Sequence, residues 1–157
     1  MNGAPGVKTD SPLTATVVLV GIAEQDQDFL RDLFDCSACP MASDCIWAIR
    51  LSASVHATLM ALRQDRIQVV LCDRDLMPEA WKELLEQFAC LAEPPCLIVT
   101  SRLADEHLWA EALNLGAYDV LARPFDGVEV VRTVNLARLR WQNNFTPHAR
   151  SLMRSVA

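Results

Sequence analysis

The sequence predicts an α/β protein in which a parallel sheet carries helices on both faces. Short apolar runs without polar alternation occur at 16–20, 69–72 and 96–100, which is typical of strands buried on both faces. Apolar residues at helical spacing lie between these runs, and a last short run falls within 116–125. Alternating strands and helices are the pattern of a parallel sheet, and 157 residues suit one compact domain.

The first helix and the second strand are predicted from the stretch that follows the first apolar run. Phe29, Leu30, Leu33 and Phe34 recur at the spacing of one helix face. The residues 46–51 are mostly apolar and predict the second strand. These elements continue the strand–helix alternation.

Capping residues and helix breakers set the limits of the other helices. Ser54 is a predicted N-cap of the second helix, and Pro78 suits the first turn of the third. The fourth helix is predicted over 105–115, with Gly116 in the left-handed position that ends it. Asp126 is the predicted cap of the last helix.

The helices are predicted to face the sheet through apolar stripes. The last helix is expected to run to about Asn144, since Pro147 disfavours its continuation. Trp109 is placed on an inward stripe, whereas Trp141, late on the last helix, is interpreted as a candidate exposed contact. The other predicted stripe residues are Val55, Leu59, Leu62, Trp81, Leu84, Leu85, Phe88, Val128, Val131 and Val134.

Right-handed crossovers make one topology the natural one for five strand–helix units. It is the flavodoxin-like, doubly wound parallel sheet with strand order 2-1-3-4-5. In such sheets ligands bind at the carboxyl ends of the strands. Asp73, Thr100 and Arg123 each follow or end a predicted strand, so they are expected at that edge.

These residues and their spacing resemble the receiver domain of bacterial response regulators. The resemblance spans roughly residues 14–142 and depends on Asp73, Thr100 and the pair Arg123–Pro124. It implies that Asp73 is the phosphoacceptor and that Thr100 senses the phosphoryl group. It also implies that Arg123 and Pro124 belong to the same pocket, although the family has lysine at the position of Arg123. We add Asp75 to this pocket.

The metal-binding part of the family pattern is absent from this sequence. Receivers carry two adjacent acids after the first strand to hold Mg²⁺, and here Gly21 and Ile22 occupy those positions. Glu24 and Asp26, a few residues further on, are weak candidate ligands, because Mg²⁺ demands strict octahedral oxygen geometry. A solvated helix N-terminus is the simpler interpretation of both. We expect no cofactor, with Mg²⁺ possible only if Asp73 is phosphorylated.

Arg123 and Val120 depart from the family pattern as well. A guanidinium is a planar fork that pairs bidentately with carboxylates, whereas a lysine ammonium is a point charge. Arg123 therefore either pairs with Asp73 and fills the pocket with a built-in cation, or points to solvent, and the sequence leaves both open. Val120 stands where receivers often carry an aromatic switch residue.

The six cysteines of the chain include a loop group. Cys36, Cys39 and Cys45 have the spacing C-x2-C-x5-C, which fits an incomplete metal site, a redox pair or simple coincidence. Coincidence is the favoured interpretation, because a second pair of ligands is missing. The other cysteines are predicted to be small buried hydrophobic residues, namely Cys72, Cys90 and Cys96.

Composition limits the class of protein. The net charge of −6 argues against a general nucleic-acid surface, and no apolar run approaches the length of a membrane span. Residues 1–13 are interpreted as a flexible leader, 14–144 as the receiver-like domain and 145–157 as a C-terminal tail. A reducing cytoplasm is the expected compartment.

Two functions follow from this resemblance. The first is a stand-alone signalling protein of a two-component phosphorelay, with impaired or atypical phosphorylation at Asp73 and a histidine kinase as partner. The alternative is a phosphorylation-independent pseudo-receiver that acts as a protein-interaction module. Neither is an enzyme. The resemblance also implies pairing through the fourth helix, the fifth strand and the fifth helix, so a weak homodimer is expected, and two solvated helix faces are the alternative interpretation. The charged residues of this face are Asp105, Glu106, Glu111, Arg132, Arg138 and Arg140.

Overall fold

The computed structural model describes residues 13–35 and 45–145. It contains one sheet of five strands in the order 2-1-3-4-5, and all neighbouring strands are parallel. The predicted flavodoxin-like architecture is therefore confirmed.

Ten elements alternate along the described chain. The strands are β1 Leu13–Val20, β2 Cys45–Ser52, β3 Val69–Asp73, β4 Cys96–Ser101 and β5 Asp119–Ala122. The helices are α1 Glu24–Asp35, α2 Val55–Gln64, α3 Ala80–Phe88, α4 Glu106–Asn114 and α5 Gly127–Phe145. Within these ranges, no helix combines the length and the apolar character that crossing a membrane requires.

The sheet separates two apolar layers. Helices α1 and α5 cover one face, where Leu30 and Val134 pack on strand residues such as Val17. Helices α2, α3 and α4 cover the other face, where Trp81 and Leu108 are almost fully buried. Burying one such large side chain contributes roughly 1.5–3 kcal/mol, so both layers fix the strand ends in place.

The predicted helix caps are present. Ser54 Oγ accepts a hydrogen bond from the backbone N–H of Ala57 at 3.0 Å, and Asp126 Oδ1 accepts one from Val128 at 3.0 Å. Asp105 Oδ1 caps α4 in the same way. Gly116 follows α4 with a φ of 108°, as its predicted role requires.

Three predicted orientations are wrong. Trp109 is 52% exposed, because Leu108 and Ala112 form the buried stripe of α4 and the next residue points away from the sheet. Val128 is likewise exposed, at the start of α5. Trp141 is buried, since it continues the inward stripe of α5.

The cysteine predictions are confirmed in part. Cys45 is the first residue of β2 and is buried, rather than lying in a loop, and Cys72 is buried in β3 as predicted. Cys90 is exposed, contrary to the prediction, because it follows the end of α3. Cys36 and Cys39 lie outside the described residues. Among the described residues, no group of three histidine, cysteine or acidic side chains is placed to hold a metal ion.

Candidate functional site

Three strand ends meet at the carboxyl edge of the sheet. Asp73 is the last residue of β3 and pairs in register with Thr100 on β4. Arg123 follows β5 directly, and its backbone N–H donates to the carbonyl oxygen of Ser101 at 2.9 Å. The structure thus brings together Asp73, Thr100 and Arg123, the residues that the sequence places at this edge.

The Asp73 carboxylate is only 1% exposed and accepts hydrogen bonds at both oxygens. Thr100 Oγ1 donates to Oδ2 at 2.8 Å. The backbone N–H groups of Asp75 and Leu76 donate to Oδ1 at 2.8 and 2.9 Å. These three neutral donors belong to the strand end and the turn after it, so they hold the carboxylate in one orientation.

Arg123 supplies the positive charge in contact with Asp73. Its Nε lies 2.7 Å from Asp73 Oδ2 without hydrogen-bond geometry, so this contact is a charge–charge one, and Nη2 donates to Oδ1 at 3.4 Å. The Arg123 side chain is 8% exposed. Of the two orientations left open by the sequence, the structure therefore has the guanidinium directed at Asp73 and not at solvent.

Two more carboxylates contact the same guanidinium. Arg123 Nη1 donates to Asp26 Oδ2 at 3.2 Å, and Nη2 donates to Asp75 Oδ2 at 2.9 Å. Asp26, which the sequence suggested as a solvated residue or a weak metal ligand, is thus a partner of Arg123. Pro124 follows through a cis peptide bond. One arginine therefore lies among three acids at the edge of the sheet.

Asp75 is fixed by the end of β4 as well as by Arg123. Ser101 Oγ donates to Asp75 Oδ1 at 2.7 Å, and the backbone N–H of Arg102 donates to Oδ2 at 2.7 Å. Partial burial on its own would raise the pKa of Asp75, but these hydrogen bonds and the charge of Arg123 lower it below its usual range. Sequence reasoning missed Ser101, whose signal was its place directly after Thr100.

The three acids also act on Arg123. Desolvation on its own would lower the pKa of the guanidinium, whereas the charge of Asp73 and the hydrogen bonds to Asp75 and Asp26 raise it above its usual value. Arg123 thus stays a permanent cation at this position.

The end of β1 does not supply metal ligands. Gly21 has a φ of 66°, and a Cβ atom there would lie 2.6 Å from Met77 Sδ. Ile22 is buried, and Glu24 is exposed on the first turn of α1 without a described contact to Asp73. Because Asp26 and Asp73 both contact Arg123, the carboxylates that Mg²⁺ would use already have a cation. The residues present do not fit a Mg²⁺ site.

The predicted interaction face is smaller than expected. Arg138 is 4% exposed, because it lies on the inward side of α5, so the expectation of a surface role for it is wrong. Glu111 forms an ion pair with Lys82 of α3 at 3.2 Å, so its charge already has a partner within the chain. The face residues that remain exposed are Asp105, Glu106, Arg132 and Arg140. Val120, the expected switch position, is buried in β5.

Comparison with known proteins finds solved structures of similar fold. No protein-family model matches the sequence, and a search of curated proteins finds no relative. The chain is similar to the receiver domain of a Francisella response regulator, with a TM-score of 0.65 and 17% identity over 80% of this chain and 98% of that one.

Two further solved structures give the same result. A response regulator from Thermotoga maritima has a TM-score of 0.67 and 18% identity, over 81% of this chain and 99% of that one. The signal receiver domain of an HD domain-containing protein from Pseudomonas fluorescens has a TM-score of 0.66 and 19% identity, over 83% and 98%. Likeness at this level of identity is a likeness of fold. The chain has the fold of response regulator receiver domains.

Proposed function

We propose that this chain is a receiver-fold signalling protein in which phosphorylation at Asp73 is impaired and protein contacts are made without a phosphoryl group. The observation that carries the proposal is the Nε contact of 2.7 Å between Arg123 and Asp73 Oδ2. The sequence resemblance to two-component receivers supports the signalling role, and the departures at Gly21, Ile22 and Arg123 support independence from phosphate.

Access to the carboxylate is the first argument. Phosphoryl transfer requires one Asp73 oxygen to approach the donor phosphorus in line. Thr100 and Arg123 contact Oδ2, while two backbone N–H groups and Arg123 contact Oδ1, and the residue is almost fully buried. Arg123 would have to leave before a donor could reach either oxygen.

Charge is the second argument. Phosphoryl transfer depends on cations that neutralise the developing charge of the phosphoryl oxygens. At this edge the carboxylates of Asp26, Asp73 and Asp75 share one guanidinium. Gly21 and Ile22 provide no ligand atoms in their side chains. The one guanidinium is thus already in contact with three carboxylates and is not free for phosphoryl oxygens.

A phosphoacceptor role for Asp73 is the second candidate function. The hydrogen bond of 2.8 Å from Thr100 Oγ1 to Asp73 Oδ2 favours this role. A hydroxyl at this distance would be near enough to hydrogen-bond to a phosphoryl group attached to the carboxylate. The side chains of Asp26 and Asp75 are 20% and 28% exposed. Arg123 could therefore keep these two partners, which lie nearer the solvent, when it leaves Asp73. A histidine kinase would be the partner in this case.

One labelling experiment separates the two candidates. The full chain is incubated with Mg²⁺ and acetyl phosphate, beside a phosphorylatable receiver that reports donor activity, and intact masses are compared. We expect the reference receiver to gain a phosphoryl group while this chain keeps its mass, because Arg123 holds Asp73. An adduct that maps to Asp73 and disappears in Asp73→Asn would establish the phosphoacceptor role instead.

We also propose a contact surface, which follows from charges on neighbouring helices. Asp105 and Glu106 lie exposed at the start of α4, and Arg132 and Arg140 lie exposed on α5. Under two-fold symmetry an acidic strip meets the basic strip of its mate. A weak homodimer through this face, in a cytoplasmic setting, is the assembly that the proposal includes.

A further inference from the structure

A cavity lies at the opposite edge of the sheet, where the strands begin. Its volume is about 540 Å³, and it lies between the starts of β1 and β2, the residue before β3 and the last turns of α5. This volume falls within the range of small-molecule sites in proteins, roughly 300–1,000 Å³. Its polar side chains belong to Thr14, Thr16, Arg50, Asp65, Arg66, Gln68, Arg138 and Gln142.

Two carboxamides give the cavity hydrogen-bond donors. Gln68 is only 9% exposed, and its Oε1 accepts a hydrogen bond from the backbone N–H of Thr16 at 2.7 Å. Gln142 Oε1 accepts one from Arg138 Nη1 at 3.2 Å. Both side chains thus use their oxygen within the protein, and within the described ranges neither amide nitrogen has a protein acceptor. The N–H groups of both amides are left for the cavity.

The charged side chains add further donors. Arg50 Nη1 contacts Asp65 at 2.7 Å, and Arg66 Nη2 contacts Glu93 at 3.2 Å. A guanidinium carries five N–H groups, so one ion pair leaves donors on each. Together with Arg138, three arginines line the cavity. Among the described lining residues, Asp65 is the acid. The formal charge of these lining residues is therefore positive, and Glu93, which pairs with Arg66 from outside the lining, offsets part of it.

We propose that this cavity binds a small oxyanion that carries at least two negative charges on phosphate or carboxylate groups. Its acceptor oxygens match the donors of Gln68, Gln142, Arg50 and Arg66, and charge-assisted hydrogen bonds to guanidinium are the strong ones in proteins. The site lies at the strand starts, whereas Asp73 lies at the strand ends, so it does not depend on the function proposed for Asp73.

Calorimetric titration of the full chain tests the proposal, with pyrophosphate and citrate as probes at constant ionic strength. We expect saturable binding of at least one probe, with a dissociation constant below about 1 mM. Pyrophosphate binding alone assigns a phosphate ligand, and citrate binding alone a carboxylate ligand. Arg50→Gln combined with Arg66→Gln is expected to weaken binding at least about tenfold, the scale of a charge-assisted hydrogen bond.

Two single variants separate a built site from general charge attraction. Arg63→Gln removes an exposed arginine of α2 outside the cavity and should leave the affinity unchanged. Asp65→Asn removes the acid that competes for Arg50 and should tighten binding roughly two- to fivefold, as expected for an exposed charge pair. Absence of saturable binding for both probes would overturn the proposal. So would equal weakening by Arg63→Gln and by the double variant.

Discussion

Arg123 Nε lies 2.7 Å from Asp73 Oδ2, although the two residues are separated by 50 positions in the chain. Both side chains are almost completely buried, at 8% and 1% exposure. A buried carboxylate is costly unless it is paired and hydrogen-bonded, and Asp73 has a cation and three neutral donors. This ion pair distinguishes the site from an open acceptor carboxylate.

Loss of the guanidinium should destabilise the fold. Arg123→Gln leaves Asp73 buried with neutral donors alone. We therefore expect the free energy of unfolding to fall by about 3 kcal/mol, the lower end of the cost of breaking a buried ion pair. Urea denaturation followed by tryptophan fluorescence measures this change. In the background of Asp73→Asn the same substitution should cost at least about 1 kcal/mol less, since the two residues are coupled.

Arg132→Gln provides the matched control, because it removes an exposed arginine from α5. Its effect on the free energy of unfolding should stay within about 0.5 kcal/mol. If Arg123→Gln lowers the free energy of unfolding equally in the wild type and in Asp73→Asn, the ion pair does not contribute to stability.

Acid should destabilise the protein in part through Asp75. Its pKa is lowered in the folded state by the hydrogen bonds from Arg102 and Ser101 and by Arg123, despite the raising effect of burial. The stabilisation is therefore present above the ordinary aspartate pKa of about 3.9 and is lost as pH falls through the lower folded value. Unfolding free energies between neutral and acid pH should decline less steeply in Asp75→Asn. Identical slopes for both proteins would count against this assignment.

Gly21 should not tolerate a side chain. Its φ of 66° lies in the left-handed region, which costs other residues roughly 1–2 kcal/mol, and an added Cβ would lie 2.6 Å from Met77 Sδ. We expect Gly21→Ala to lower the free energy of unfolding by at least about 1 kcal/mol. Gly127→Ala, at the first residue of α5, is the comparison variant. Its φ is not in the left-handed region and its Cβ would lie 3.2 Å from Leu33 Cδ1, the end of a flexible side chain, so we expect a smaller cost than for Gly21→Ala. A neutral Gly21→Ala would show that the turn after β1 adapts.

Self-association should depend on salt. The proposed face pairs Asp105 and Glu106 with Arg132 and Arg140, and salt screens exposed charges beyond about 10 Å at 0.1 M. Sedimentation velocity of the untreated protein should show a weak dimer at low salt and a monomer at high salt. Arg132→Glu with Arg140→Glu should abolish the dimer, whereas Arg63→Glu on α2 should not. A monomer at both low and high salt would show that the proposed homodimer does not form.

The fold followed from local patterns in the sequence. Apolar runs predicted strands buried on both faces, and Ser54 and Asp126 predicted helix starts through hydrogen bonds within their own turns. The orientation of Trp109 did not follow. The apolar residues of α4 allow two different sides of the helix to face the sheet. Packing on the sheet selects the side that buries Leu108 and Ala112.

The candidate site was predictable in position but not in its contacts. Parallel strands end at one edge, so Asp73, Thr100 and Arg123 were expected together. The ion pair between Asp26 and Arg123 joins residues 97 positions apart, and its geometry depends on how α1 packs beside the turn after β5. No local pattern in the sequence encodes such a contact.

A Mg²⁺ titration of the unmodified protein, followed by calorimetry, tests whether Arg123 excludes a metal ion from this site. Because Asp26, Asp73 and Asp75 are all already in contact with Arg123, we predict no saturable binding up to about 10 mM, a concentration that would detect even weak carboxylate sites. Asp73→Asn should give the same flat titration. Saturable binding by the wild type that disappears in Asp73→Asn would show that the guanidinium of Arg123 does not take the place of a metal ion.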